Sequence, residues 1–286
     1  MMIIQAPAKI NLGLDVICRR PDGYHEVDMI MQTIDLFDTV TIEQTGEPGI
    51  LLTTNRPELP NDEGNLAYRA ANLLFETCGE KERGVSIHIE KRIPLAAGLA
   101  GGSTDCAAVL SGMNTLFSYG LPRERLMELG KRLGADVPYC LLQGTARSRG
   151  IGEKLTTLPK MMPCPVLIAK PGVAVSTKAV YEGLHLDETT VHPDIDALED
   201  DIRRQDLSAL AGDMGNLLAT VTEALHPEIG KLIRLMEEHG ALRAMMSGSG
   251  PTVFGLFSDK KTAQEAEKAV RDSNLAPDIC LTQISE

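Results

Sequence analysis

The chain has 286 residues, of which 43% are hydrophobic and 24% charged, a composition that excludes disordered and fibrous proteins. Its net charge of -12 excludes a broad positive surface that would gather nucleic acid, so any phosphate must be bound locally. No apolar run is long enough to span a membrane and no leader segment opens the chain, so we expect a cytoplasmic protein without a membrane partner. Six cysteines without a C-x-x-C pair and six dispersed histidines predict reduced thiols and no resident transition metal.

The N-terminal part begins with alternating strands. Residues 10–16 alternate apolar and polar side chains, which predicts a strand whose polar face carries Lys9 and Asn11. After a Pro-Asp-Gly turn, residues 27–34 and 40–43 predict two further strands of an antiparallel meander.

Helices and a glycine-rich loop follow. A helix is predicted from Asn65 to about Cys78, with Gly79 as its stop, and a strand over 85–89. The glycine loop, residues 94–104, then leads into a helix that we expect to begin at Ser103 or Thr104.

A domain boundary is predicted at Met161-Met162-Pro163-Cys164-Pro165, because two prolines there disfavour a helix or a central strand. The predicted domains are residues 1–162 and 163–286. In the second, strands near 166–169, 242–247, 252–257 and 279–284 alternate with helices, which predicts an α+β fold.

The glycine loop carries the strongest chemical signal. Glycines let backbone N–H groups approach an oxyanion, and the start of a helix offers unpaired N–H donors at a positive dipole end. The pattern therefore predicts a di- or triphosphate site, although a tight strand-to-helix connection with Ser103 as the N-cap is the structural alternative.

Other candidates are ambiguous when taken singly. Asp136, two residues before Pro138, has the pattern of a helix N-cap, and Lys9 is compatible with a solvated lysine. The hairpin loop, Ser247-Gly248-Ser249-Gly250-Pro251, is compatible with a turn between two strands.

Taken together and in this order, the motifs resemble those of the GHMP small-molecule kinases. They are P-A-K-I-N-L from Pro7, D-G-Y-H from Asp22, the glycine loop, G-A-D-V-P from Gly134, and the hairpin loop. The resemblance runs from residue 6 to about 257. P-A-K-I-N-L, D-G-Y-H and G-A-D-V-P are similar to the branch whose substrate carries a cytidine diphosphate.

The resemblance implies a two-domain GHMP kinase fold with the active site in the cleft between the domains. It implies ATP-dependent phosphorylation of the C2 hydroxyl of a cytidine diphosphate sugar-alcohol, a step of the non-mevalonate isoprenoid precursor pathway. Magnesium is expected to arrive with ATP, and the protein is expected to be a monomer or homodimer.

The resemblance also implies roles for single residues. Asp136 would accept the proton of the substrate hydroxyl, and Lys9 would keep that carboxylate ionised and offset phosphoryl charge. The residues expected to bind the nucleotide are Pro94, Leu95, Ala96, Ala97, Gly98, Leu99, Ala100, Gly101, Gly102, Ser103 and Thr104, with Asn65 and Lys91 on the adenosine side. The residues expected to bind the substrate are Asn11, Tyr24, His25, Thr177, Tyr181, Gly248, Ser249 and Gly250, with the two tyrosines on the faces of the cytosine and His25 at its polar edge.

Two positions depart from the family pattern, Ala100 where glycine is usual and Thr104 where serine is usual. The alanine predicts that residue 100 lies outside the left-handed region of the backbone, so that Ala100→Gly would be tolerated.

Two other functions stay open at this point. A sibling kinase acting on mevalonate, homoserine or a sugar would keep the glycine loop but would not need Tyr24, His25 and Tyr181. A non-enzymatic nucleotide or sugar sensor would need neither Lys9 nor Asp136, and both are present.

Overall fold

The computed structural model describes residues 1–80 and 82–285. The strands are β1 (Met2–Arg19), β2 (His25–Thr45), β3 (Gly49–Thr54), β4 (Gly84–Glu90), β5 (Thr145–Gly150), β6 (Lys154–Thr157), β7 (Pro165–Lys170), β8 (Gly215–Asn216), β9 (Arg243–Met246), β10 (Val253–Leu256) and β11 (Asp278–Gln283). The helices are α1 (Leu66–Cys78), α2 (Gly101–Leu116), α3 (Arg123–Lys131), α4 (Val137–Leu142), α5 (Thr177–Gly183), α6 (Ile195–Arg204), α7 (Leu207–Asp213), α8 (Ala219–Leu225), α9 (Pro227–Glu238) and α10 (Lys260–Ser273).

The chain forms two compact units, each assembled from three separate segments. Unit 1 contains Met1–Ala8, Leu36–Ile93 and Ala100–Gln143, and unit 2 contains Lys9–Asp35, Pro94–Leu99 and the chain from Gly144 onward. Strands β1 and β2 therefore each contribute residues to both units.

Unit 1 places helices beside a small mixed sheet. The second part of β2 pairs antiparallel with β4, from Thr39 opposite Glu90 to Thr45 opposite Gly84, and β3 pairs parallel with β4. Helix α1 packs on α2, which also packs on α3 and α4. The side chains of Val40, Leu74, Ile87 and Val109 are fully buried and form part of this core.

Unit 2 contains a four-stranded antiparallel sheet in the order β11-β7-β10-β9. Helix α9 packs on β9 and β10, and α10 packs on β7 and β11. The first part of β2 pairs antiparallel with β5, while β1 pairs parallel with the two residues of β8 through Gly13 and Leu14. The alternation of helices with antiparallel strands confirms the predicted α+β class.

Capping residues mark the ends of helix α1 and the start of helix α5. The side chain of Asn65 caps α1 by accepting a hydrogen bond from the Ala67 N–H, and Gly79 ends the helix with φ 71°. The side chain of Ser176 caps α5 in the same way, through the Ala179 N–H.

The predicted break within the second strand region is wrong, because β2 is one strand of 21 residues. Asp38 is compatible with a buried strand position because its carboxylate accepts hydrogen bonds from the Arg92 and Ile93 N–H groups and from Lys91 Nζ.

Candidate active site

Lys9 and Asn11 lie on the polar face of β1, and this face is buried. Lys9 is 5% exposed and Asn11 is 1% exposed. Lys9 Nζ donates to Asn11 Oδ1 at 2.7 Å and to the Gly98 carbonyl at 3.1 Å, while the Lys9 backbone N–H donates to the Leu99 carbonyl at 3.1 Å. Lys9 is therefore buried and not solvated. Its hydrogen bonds connect it to Gly98 and Leu99, in the middle of the glycine loop.

The glycine loop has an unusual backbone. Ala96, Gly98 and Ala100 all have φ in the left-handed region, at 49°, 73° and 59°. The prediction for residue 100 is thus wrong, because Ala100 adopts the conformation that usually selects glycine. Ala100 is the N-cap of α2 and its carbonyl accepts the Thr104 N–H at 2.9 Å, although an N-cap residue usually has an extended backbone.

Helix α2 begins at Gly101, two to three residues earlier than predicted, so Ser103 is inside the first turn and is not the N-cap. A Cβ atom on Gly101 would lie 3.2 Å from Ile93 Cγ2 and 3.4 Å from Lys91 Nζ. A Cβ atom on Gly102 would have only Leu66 Cδ1 nearby, at 3.7 Å. Close packing therefore accounts for the glycine at position 101, whereas position 102 has room for a side chain.

Lys91 is buried beside the start of α2. Its ammonium group pairs with Asp38 Oδ2 and with Asp105 Oδ2, the latter at 2.5 Å. We call Lys91, Asp38 and Asp105 the lysine triad. Burial raises the pKa of the Asp105 carboxyl to about 7, against the opposing effect of Lys91. The two aspartates were not identified from the sequence, although a carboxylate within an otherwise apolar helical stretch is a usable signal.

Asp136 occupies the N-cap position of α4, but its side chain makes no capping hydrogen bond. The residue is half-buried, and its backbone carbonyl accepts the Cys140 N–H at 3.0 Å. The Asp136 carboxylate therefore does not cap α4, so helix capping does not account for the aspartate at this position.

The hairpin loop connects β9 to β10, with Met246 opposite Val253, so the interpretation as a turn is correct. It also contacts the glycine loop within unit 2, because Ser247 Oγ donates to the Gly98 carbonyl at 3.0 Å. A Cβ atom on Gly98 would collide with the Ser247 carbonyl oxygen, so the two loops approach each other backbone to backbone.

Two residues that sequence reasoning missed hold the hairpin loop. Asn216 Nδ2 donates to the carbonyls of Met246 and Gly248, both at 2.8 Å. Thr222 Oγ1 donates to the Ser249 carbonyl at 3.3 Å. A two-residue strand, β8, positions Asn216, and such a short element leaves no periodic pattern in the sequence.

Unit 2 brings several predicted substrate residues together. The rings of His25 and Tyr181 lie with centroids 4.9 Å apart and planes 31° apart, and the hydroxyls of Thr177 and Ser249 are 2.8 Å apart. Burial, helped by the charge of Arg19, lowers the pKa of His25 and favours its neutral form. Tyr24 is 61% exposed, and the ring neighbour of Tyr181 in this structure is His25.

Within residues 1–80 and 82–285, no group of three or more His, Cys, Asp or Glu side chains is arranged to hold a metal ion. In the same part of the chain, none of the helices combines the length and the apolar character needed to cross a membrane.

Comparison with known proteins identifies the family. The model of the GHMP kinases N terminal domain matches residues 65–144, and that of the GHMP kinases C terminal domain matches residues 198–275. A 4-diphosphocytidyl-2-C-methyl-D-erythritol kinase from Lachnoclostridium phytofermentans is 54% identical, covering 92% of this chain and 90% of the relative. A protein of the same name from Lachnospira eligens is 48% identical, covering 98% and 97%.

Solved structures agree with this result. A crystal structure of a 4-(cytidine 5'-diphospho)-2C-methyl-D-erythritol kinase has a TM-score of 0.84 and 34% identity, covering the whole of both chains. A homoserine kinase from Cytophaga hutchinsonii, at 21% identity and a TM-score of 0.78, covers 99% of this chain and 94% of its own, and shares the fold. The chain is a small-molecule kinase, and it belongs to the GHMP kinase family.

Proposed function

We propose that this kinase transfers the γ-phosphoryl group of ATP to the C2 hydroxyl of 4-diphosphocytidyl-2-C-methyl-D-erythritol. This reaction is a step of the non-mevalonate pathway to isoprenoid precursors. The proposal rests on relatives at 46–54% identity that carry this enzyme's name and on the substrate residues that unit 2 assembles.

The observation that carries the proposal is the start of α2. A helix of 16 residues opens at Gly101, and its first backbone N–H groups precede the intrahelical hydrogen bonds. Because a side chain at position 102 would meet almost nothing within the protein, the glycine there leaves room for a ligand to approach the backbone. Unpaired N–H donors at a positive helix end suit the phosphates of ATP.

The chemical step needs a base and compensation of charge. We assign the base to Asp136, whose carboxylate takes the proton of the C2 hydroxyl. The hydroxyl oxygen then bonds to the γ-phosphorus, while the bond from that phosphorus to the β,γ-bridging oxygen breaks and ADP leaves. We assign to the Lys9 ammonium the role of favouring the ionised Asp136 and offsetting the charge that develops on the phosphoryl oxygens.

Substrate recognition is assigned to the residues around the hairpin loop. His25 and Tyr181 would hold the cytosine, with Tyr24 closing on its other face, and Asn11 would bind near the reacting hydroxyl. Thr177, Gly248, Ser249 and Gly250 would line the diphosphate. A neutral His25 supplies one donor and one acceptor, which is suited to reading the polar edge of a base.

We propose that the whole glycine loop, from Pro94 to Thr104, wraps the phosphates and that Asn65 lies toward the adenosine. Magnesium would arrive with ATP, which suits an ion that keeps phosphate and water ligands rather than a cage of protein groups. We further propose a cytoplasmic monomer or homodimer without nucleic-acid or membrane partners. The domain division at residues 162 and 163 stays a prediction from the sequence.

One assay tests the substrate directly. ADP release is measured with 4-diphosphocytidyl-2-C-methyl-D-erythritol, mevalonate, homoserine and galactose offered in parallel. We expect turnover with the first compound to exceed the other three by orders of magnitude. Comparable turnover with any of the others would contradict the proposed substrate.

Asp136→Asn tests the base. We expect kcat to fall by roughly two to four orders of magnitude, the span of a positioned general base, while the KM for ATP stays nearly constant. A thermal melt recorded beside the assay separates a loss of folding from a loss of chemistry. A variant that keeps more than about a tenth of the wild-type kcat would place the base elsewhere.

A further inference from the structure

We propose that Lys91 is a positioning residue that sets ATP affinity through the lysine triad, by fixing the two ends of the glycine loop to each other without touching ATP. The inference rests on the proposed function, because it takes the glycine loop to be the site of the ATP phosphates. It differs from the expectation that Lys91 contacts the adenosine half.

The triad is closed to solvent. The exposed fraction of the side chain is 2% for Lys91, 0% for Asp38 and 6% for Asp105. An ammonium that pairs with two carboxylates at this depth has exchanged its water for charged partners. Two of its three N–H donors bond to Asp38 and Asp105, and these bonds hold the buried ammonium in place.

The two carboxylates belong to opposite ends of the glycine loop. Asp38 Oδ1 accepts the backbone N–H groups of Arg92 at 2.5 Å and Ile93 at 2.9 Å, which directly precede Pro94. Asp105 lies in α2, one residue after the loop ends at Thr104. Lys91 therefore connects the segment that enters the loop to the helix that leaves it, and both of these ends belong to unit 1.

The triad also lies against the first residue of α2. Lys91 Nζ is within van der Waals range of a Cβ atom placed on Gly101, and the residue before it, Ala100, has the left-handed backbone. A left-handed alanine is strained and persists only where its surroundings hold it. Fixing both ends of the loop supplies that support, and it orients the N–H groups of the first turn.

The triad carries an unbalanced negative charge once Asp105 is ionised, so nucleotide affinity should depend on pH. Two carboxylates share one ammonium, and Asp105 Oδ1 is buried without a hydrogen-bond partner among the described residues. The charges that act on Asp105 are those of Lys91 and Asp38, and Arg69 of α1 acts on the neighbouring Cys106. When Asp105 loses its proton, as pH rises through about 7, an uncompensated negative charge forms beside the phosphate site.

The first experiment uses the variant K91M/D38N/D105N, which removes the three charges of the lysine triad and keeps side chains of similar size. Binding of adenylyl imidodiphosphate is measured by calorimetry, together with the melting temperature and the KM values for both substrates. We expect nucleotide affinity to fall at least tenfold while the KM for the phosphoryl acceptor changes less than twofold. Lys261→Met, an exposed lysine on α10, is the matched control and should bind like the wild type.

The second experiment, Asp105→Asn, keeps the proposal falsifiable if the triple variant does not fold. The ratio of wild-type to variant nucleotide affinity is followed from pH 6 to pH 8, so that ionisation of the nucleotide itself cancels. We expect the ratio to fall severalfold across this interval, because only the wild type gains the negative charge. A merely structural triad would leave the ratio constant.

The outcomes separate the inference from the proposed function. A folded triple variant that binds the nucleotide within twofold of the wild type, or a constant affinity ratio for Asp105→Asn, overturns the inference. A wild-type chain that binds the nucleotide but phosphorylates none of the four acceptors contradicts the proposed function alone. A wild-type chain that does not bind the nucleotide overturns both.

Discussion

The glycine loop and the hairpin loop are both rich in glycine, but only the glycine loop contains a glycine that neither backbone conformation nor packing requires. In the hairpin loop, Gly248 and Gly250 both have positive φ, and a side chain on Gly250 would collide with the Met246 thioether. In the glycine loop, Gly98 is required by its positive φ and by backbone contact, and Gly101 by packing, whereas Gly102 has room for a side chain. At the start of a helix, a glycine that the protein itself does not require indicates where an anionic ligand approaches.

The largest effect should come from breaking the contact between the two loops with Gly98→Ala. The residue has φ 73°, and its Cβ atom would collide with the Ser247 carbonyl oxygen. We expect a loss of about 2 to 4 kcal/mol in the free energy of unfolding, measured in urea, and a loss of nucleotide affinity of more than tenfold.

Gly79→Ala is the matched control for that variant. Gly79 has nearly the same φ, 71°, and a side chain there would meet nothing within 4 Å. The Gly79→Ala variant should lose only the free energy of unfolding that a left-handed alanine backbone costs, about 1 kcal/mol. Equal losses in the two variants would mean that the contact between the loops adds nothing to stability.

Gly102→Ala sharpens the comparison by testing the glycine of these two loops that packing does not explain. We expect the free energy of unfolding to stay the same or to rise slightly, because alanine favours a helix over glycine by up to about 1 kcal/mol. Nucleotide affinity should fall by roughly ten- to a hundredfold, as expected when a charge-assisted hydrogen bond to a phosphate is obstructed.

The control for Gly102→Ala is Gly212→Ala, at a glycine of α7 that also has open space around it. It should show the same gain from helix propensity and no change in nucleotide affinity. Unchanged affinity in the 102 variant would make the start of α2 a structural connection rather than a phosphate site.

The hairpin-loop side of the comparison is tested through Tyr181, since the hydrogen bond between Thr177 and Ser249 links α5 to that loop. Tyr181→Ala should raise the KM for the cytidine substrate roughly tenfold, in line with about 1 to 3 kcal/mol for an aromatic ring on a base, and leave the KM for ATP nearly unchanged. Tyr181→Phe keeps the ring and should behave like the wild type. If the alanine variant saturates like the wild type, the ring does not contact the base.

The smallest effect is expected for Ala100→Gly. Relief of the left-handed backbone should raise the free energy of unfolding by up to about 1 kcal/mol, after the greater freedom of glycine in the unfolded chain is subtracted. Thermal and urea denaturation both measure this gain. A loss of stability would show that the Ala100 methyl group makes packing contacts that outweigh its backbone strain.

The sequence predicted best those features that depend on local chemistry. Helix α1 was placed correctly because Asn65 and Gly79 provide chemical start and stop signals within a few residues. Ala100 was misjudged because residue type indicates only the preferred backbone, whereas the connection into α2 fixes the actual one. The lysine triad could not be predicted, since Asp38 and Asp105 lie 53 and 14 residues from Lys91 in the chain.

The interleaving of the two compact units limits how the protein can be divided. Each unit is assembled from three segments that alternate along the chain, so no single cleavage yields two fragments that each carry one complete unit. A genetically split version of the enzyme would leave at least one unit divided between its two fragments. Such fragments would regain activity only by complementing each other, which makes this chain a natural starting point for a reporter of fragment association.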